Sequence, residues 1–215
     1  MTRGQLLRVS GLALLVGAII FIIHVVLRSA ITAGPDPATF AKESLWVPIN
    51  VIGVVGAVLI LLGLPSLYLR MVGSAGTLGM LGLTLLVIAW IFFGLFLSLY
   101  GVLVLPWLAD KAPSLVTASS PLPTAFVVAF GAGLLAWFVG AVLVGIPFAR
   151  RRAQPSWIGY VLVASGILVV IGNLIIAPSG PASNLAINLL SNMGPVLLLI
   201  AIGYLGYRMW SDRYV

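Results

Sequence analysis

Six stretches of this chain, at approximately 6–31, 45–69, 76–105, 124–149, 156–177 and 185–207, run on without a single Asp, Glu or Lys. A hydrocarbon core about 30 Å thick is crossed by about 20 apolar residues of helix, so each stretch is long enough to span a bilayer. Backbone polar groups in lipid must be paired within the segment or in a closed barrel, and none of the six shows the alternation of a barrel strand. The chain therefore reads as all-α: a polytopic integral membrane protein, a six-transmembrane-helix bundle that forms one domain over 1–215.

Composition closes off the soluble alternatives. At 62% hydrophobic and 7% charged, the chain lies far from the roughly 45–50% and 25% of soluble domains, which excludes a soluble enzyme. The net charge of +7 is spread along the spans and does not gather into a basic patch with interleaved aromatics, so no nucleic-acid partner is expected. With no cysteine, disulfides and thiolate metal sites are excluded and the redox compartment leaves no mark.

The cations sort by side. Six spans place Arg3, Arg8, Arg70, Arg150, Arg151, Arg152, Arg208 and Arg213 on one face with Asp212, and Arg28, Lys42 and Lys111 on the other with Asp36, Glu43 and Asp110. The positive-inside rule then puts both termini in the cytoplasm. The first span follows Arg3 and Arg8 but is too long for a secretory h-region and has no small-residue cleavage site, so it is expected to stay in the mature protein. Short cytoplasmic turns are expected near 70–75 and 150–155. The external segments 32–44 and 106–123 are longer, the second lying along the membrane surface, with Trp46 and Trp107 as interfacial anchors.

Intramembrane ionisable groups mark proton paths and ion sites, and here they are nearly absent. No lysine is placed for a Schiff base, no carboxylate for proton coupling, and the single histidine excludes bis-histidine haem and multi-histidine zinc. No G-x-S-x-G or H-E-x-x-H motif occurs. No catalytic residue, metal or cofactor is expected, and His24 with Asp36 or Glu43 has no spacing that favours an acid–base site.

What polarity the spans hold is one-sided. At about 1.5 Å per residue, His24, Asn50, Tyr100, Asn173, Asn188 and Asn192 fall in a shallow band on the external half, while the other half is almost purely aliphatic. Four-residue spacing puts His24 and Arg28 on one helix face, and Asn184, Asn188 and Asn192 on another. Polar faces turn from lipid, so these residues are expected to converge on an externally open pocket whose one fixed charge is Arg28, a planar fork suited to carboxylate or phosphate. Pro195 is expected to free a carbonyl for that pocket. The alternative for each is structural: asparagines that join helices, an Arg28 that snorkels or pairs with Asp36 or Glu43, and a His24 that satisfies a neighbouring carbonyl. Trp90 and Trp137 read as core.

Small residues at four-residue spacing, Ala13 and Gly17, Gly53 and Ala57, and Ala132, Ala136 and Gly140, predict close helix packing, and so do the glycines at 73, 76, 79 and 82. Gly63 and Pro65 before Arg70, Gly145 and Pro147 before Arg150, and Gly203 before Arg208 hint at three related hairpins.

The segment from Gly11 to Pro48, with His24, Arg28 and Ser29 followed by Gly34, Asp36 and Thr39, resembles a group of uncharacterised bacterial multi-pass membrane proteins. That resemblance covers under a fifth of the chain, implies a bacterial inner membrane and carries no assigned activity. The six-helix, N-in design is also similar to the substrate-binding subunits of energy-coupling-factor vitamin transporters, which implies ligand capture from outside and a docking face at Ala13 and Gly17. The expected function is non-enzymatic: binding of a small or lipid-like, anionic ligand from the extracytoplasmic side, with membrane lipid and a homo-oligomeric or membrane-complex partner. The alternative is a structural or accessory subunit of a larger complex or transporter.

Overall fold

The computed structural model describes residues 3–32, 37–71, 76–117, 123–150, 155–176 and 185–211. Helix dominates and no strand occurs among them. The long helices are α1 (Arg3–Ile31), α2 (Trp46–Met71), α3 (Gly76–Lys111) and α4 (Thr124–Arg150). In α5, Trp157–Ile171 continues into a π-helical turn, Gly172–Ile176. A break at Asn192 divides α6 into Leu185–Ser191 and Met193–Ser211. Six helices are long and apolar enough to cross a membrane; this is a polytopic helical bundle. The expected turns at 70–75 and 150–155 fall largely outside the described residues, as do Asp36 and Asn184.

One boundary differs. Instead of ending near 105, α3 runs unbroken to Lys111, then turns through Pro113–Leu115. It passes Pro106 because it widens to a π-helix at Ile91–Phe96 and again at Tyr100–Val104, then resumes α geometry at Leu105 with Pro106 in the first turn. The missing N–H of Pro106 would have faced the Gly101 carbonyl one π turn back, and that carbonyl accepts instead from Trp46 Nε1 at 2.8 Å. Residues 106–111 therefore prolong a helix and do not begin a surface loop. Trp107 is exposed, whereas Trp46 is fully buried and no interfacial anchor.

The helices form a closed ring in which each packs on its sequence neighbours and α1 closes against α6. Close approach rests on glycine. A Cβ on Gly11 would meet the Gly206 carbonyl at 2.7 Å, and one on Gly206 would meet that of Gly11 at 2.7 Å. The pairs Gly82 with Gly140 and Gly145 with Gly159 face each other likewise across α3/α4 and α4/α5. With no hydrophobic drive between helices in lipid, dispersion contacts at this range hold the bundle. Gly17 is spent in this way against Ile60 of α2, so it presents no outward docking face. On α4 Gly140 packs as expected and Ala136 is partly buried against the core, joined by Gly133, Ala141 and Gly145, while Ala132 faces outward. Gly63 faces backward round the ring to α1 but Gly145 faces forward to α5; a threefold hairpin repeat would turn both the same way.

Arg8, Arg150 and Arg208 lie at one end of the ring, because up-down connectivity returns α1, α4 and α6 there. Toward that end Leu64, Leu67, Leu83, Leu86, Val144 and Leu198 fill the axis around a void of about 20 Å³. That is room for about one water, and the walls offer it almost no polar partner, so this half is closed and dry.

Candidate functional site

Above the aliphatic plug the ring opens into a cavity of about 290 Å³. Its wall on α1 runs from Phe21 through His24, Val25, Arg28 and Ser29 to Thr32, about 16 Å of helix. Phe93 and Leu97 of α3, Phe130 of α4, Val169 and Asn173 of α5, and Asn192 and Pro195 of α6 complete it. Trp90 and Trp137 form the floor. Both indoles are pinned: Trp90 Nε1 donates to the Ala57 carbonyl at 3.3 Å, and Trp137 Nε1 to Ser165 Oγ at 3.2 Å. Phe21 packs on Trp90 at 4.7 Å and Phe93 on Trp137 at 5.7 Å between ring centroids. The floor is thus rigid and aromatic, and the rim is polar.

His24 is 1% exposed. Its Nδ1 donates to the Ile49 carbonyl at 2.8 Å, a bond that requires the proton on Nδ1 and leaves Nε2 as an acceptor. The ring lies flat on Gly53, where a Cβ would meet Cε1 at 2.7 Å and both ring nitrogens at 2.8 Å. Gly53→Ala is accordingly expected to displace the imidazole, break the Ile49 bond and cost about 1–3 kcal/mol, measured as a drop in thermal unfolding temperature in detergent. A temperature equal to the parent's would show that the ring is not locked.

One turn further along, the Arg28 guanidinium stands 5.6 Å from the ring centre of Trp46. Trp46 is held as a platform by its own bond to the Gly101 carbonyl, 2.8 Å, and by Phe40 at 4.9 Å. The guanidinium makes no hydrogen bond to a described residue, and Glu43, which the sequence offered as a partner, is exposed and unpaired with it. A cation–π contact leaves all five N–H donors of Arg available.

The asparagines divide. Asn192 donates to Ser29 Oγ at 3.4 Å and to the Asn188 carbonyl at 2.8 Å, and Asn188 reaches the Ser29 carbonyl at 3.4 Å. These bonds tie the kink of α6 to α1 at the rim. Asn173 sits in the π-turn of α5 with its amide nitrogen on the Val169 carbonyl, 2.9 Å. Its Oδ1 makes no bond to any described residue.

Of the seven residues singled out from sequence, His24, Arg28, Asn173 and Asn192 line the cavity and Asn188 braces its rim. Asn50 and Tyr100 do not line it. Fully buried, Asn50 gives its amide nitrogen to the Trp46 carbonyl at 2.9 Å and rests its unpaired Oδ1 against Gly101. Tyr100 packs with Phe126 and with the cluster around Trp46. Both share the polar band in depth, but Asn50 is enclosed at the α2/α3 contact and Tyr100 lies between Phe126 of α4 and the Trp46 cluster. Pro195 does release a carbonyl, that of Ser191, but it lies on Gly172 of α5, where a Cβ would overlap it, and it serves packing. Sequence reasoning missed Ser29 and Thr32, which the i, i+4 spacing from Val25 and Arg28 would have found, and the aromatic floor, for which no local signal exists.

The arrangement provides one fixed positive charge, several acceptors and an aromatic interior. Among the described residues no group of three His, Asp or Glu that could hold a metal occurs, and none of the carboxylates lines the cavity with His24. Comparison with protein-family profiles, curated proteins and solved structures finds no match to this chain.

Proposed function

We propose that this chain is a non-enzymatic membrane protein that holds a small anionic amphiphile, head at Arg28 and tail on the Trp90–Trp137 floor, taken from the extracytoplasmic side. The observation that carries this reading is the guanidinium presented at the rim of a partly open cavity, making no hydrogen bond or ion pair to a described residue. A polar rim over an apolar, largely pre-formed interior is the usual form of a ligand site. A 150 Å³ apolar cavity accepts benzene, so 290 Å³ accommodates roughly a dozen non-hydrogen atoms. The excess of arginine at the opposite end supports cytoplasmic termini, and the resemblance of the first segment supports a bacterial inner membrane. The dry plug beneath Trp90 favours holding a ligand over conducting one.

The test compares three probes of nearly equal length, decanoate, decanol and decylamine, by calorimetry on the purified protein in a mild detergent. Decanoate is expected to bind at least tenfold more tightly than decanol, with decylamine weakest, as like charges repel at Arg28. Equal affinities, or none, would return the polar rim to the role of helix packing.

A further inference from the structure

We infer that the ligand reaches the cavity sideways, from the bilayer between α3 and α4, so that the substrate class is a membrane-dissolved anionic amphiphile and not a water-borne anion. This rests on the cavity being a ligand site.

The two helices are not parallel neighbours along their whole length. Gly76–Trp90 packs along α4 through Gly82 and Gly140, but the π segment Ile91–Phe96 touches α4 at few points, and beyond Phe96 the backbones have parted. The far half of α4 stands correspondingly free: no residue from Thr124 to Ala132 is buried, and a Cβ on Gly131 would meet nothing within 4 Å. The ring is closed by backbone contact at Gly82/Gly140 and at Gly145/Gly159, whereas this end of α4 makes few such contacts with α3 or with the π turn of α5, and it borders a cleft on the α3 side.

Phenylalanine rings fill it. Phe93 and Phe130 line the cavity and touch each other at 5.1 Å. Behind them, toward the ring's exterior, Phe92 meets Phe93 at 5.2 Å, Phe130 at 6.4 Å and Phe126 at 6.2 Å, and Phe126 stacks on Phe130 at 6.3 Å. An unbroken apolar path thus joins the lipid-facing surface to the cavity floor. Side-chain rings on staggered torsions move with far less cost than a glycine-sealed backbone contact, because rotamer changes need no helix displacement. The π turns of α3 lie at this level, a geometry that recurs at functional sites. An alkyl chain in the leaflet passes such rings without leaving an apolar medium, while its charged head travels at the depth of Arg28, the one fixed charge among the described residues that line the cavity.

The chain contains no cysteine, so a reactive pair can be placed at will. The measurement uses a background in which the exposed Trp107, Trp157 and Trp210 are changed to Phe, leaving the buried Trp46, Trp90 and Trp137. The protein carries Phe92→Cys and Phe126→Cys, is reconstituted in nanodiscs and is mixed with 10-bromodecanoate in a stopped-flow fluorimeter. Bromine at the tail quenches the floor tryptophans on arrival. Bridging the two cysteines with a short bis-maleimide is expected to slow association and release at least tenfold relative to the same protein with both thiols capped singly. Equal rates in the two samples, with quenching intact, would overturn the lateral route and leave the cavity as a ligand site. Absence of quenching in the capped protein would overturn both. Should the cysteine pair fail to fold, Phe92→Ala with Phe126→Ala carries the same test: at least fivefold faster association supports the cleft, and an unchanged rate overturns it.

Discussion

Replacing Arg28 with alanine is expected to lower the affinity for decanoate at least about 30-fold while leaving decanol binding within about twofold and thermal stability undiminished. Truncating one member of a desolvated charge pair costs about 2–5 kcal/mol, and every 1.4 kcal/mol is tenfold. The guanidinium has no ion-pair partner among the described residues and rests on Trp46 at 5.6 Å, so the empty protein loses only a cation–π contact, about 0.5–2 kcal/mol. Removal of a partly desolvated charge offsets that loss. Arg28→Lys should fall between, since an ammonium offers a point charge where the fork offers paired donors. Calorimetry with the two probes and a thermal scan check all three statements. A large fall in stability with equal loss of both ligands would identify Arg28 as a packing residue and remove the basis of the proposed function.

The largest effect on folding is expected at a position remote from any ligand. Gly159→Ala would set a methyl group against the backbone nitrogen and Cα of Ala149 and the carbonyl of Gly145. None of these is the movable end of a side chain, so α4 and α5 must separate along their contact, at an expected cost of about 3 kcal/mol or more. Gly131→Ala, the same chemical change on α4, meets nothing within 4 Å and should be neutral or stabilising by up to about 1 kcal/mol, the difference in helix propensity. Thermal unfolding of the two variants in one detergent separates them. Similar losses in both would mean that the ring is not sealed by backbone contact.

Much of the candidate site was legible because it follows from periodicity on single helices. His24 and Arg28 share a face by spacing alone, and so do Asn188 and Asn192; both pairs reach the cavity or its rim. Asn50 was not separable from them, because depth in the membrane is a one-dimensional quantity and the azimuth of a residue is another. Its α2 is apolar all round, and a helix without a polar stripe carries no instruction about which face turns inward. Trp46 shows the same limit: its position near a span end fits an anchor, but Gly101 and Phe40 enclose it.

Sequence by itself determined the number of helices, the return of both chain ends to one side, and the gathering of the histidine and asparagines of the spans in the opposite half, since hydropathy and charge act residue by residue along the chain. Tertiary structure alone decided the closed ring, the tryptophan floor, the parting of α3 from α4 and the exclusion of Asn50 and Tyr100. Those depend on how each helix is rotated about its axis. In uniformly apolar rods that rotation is set where glycines let particular backbones touch, and such contacts exist only between segments far apart in the chain.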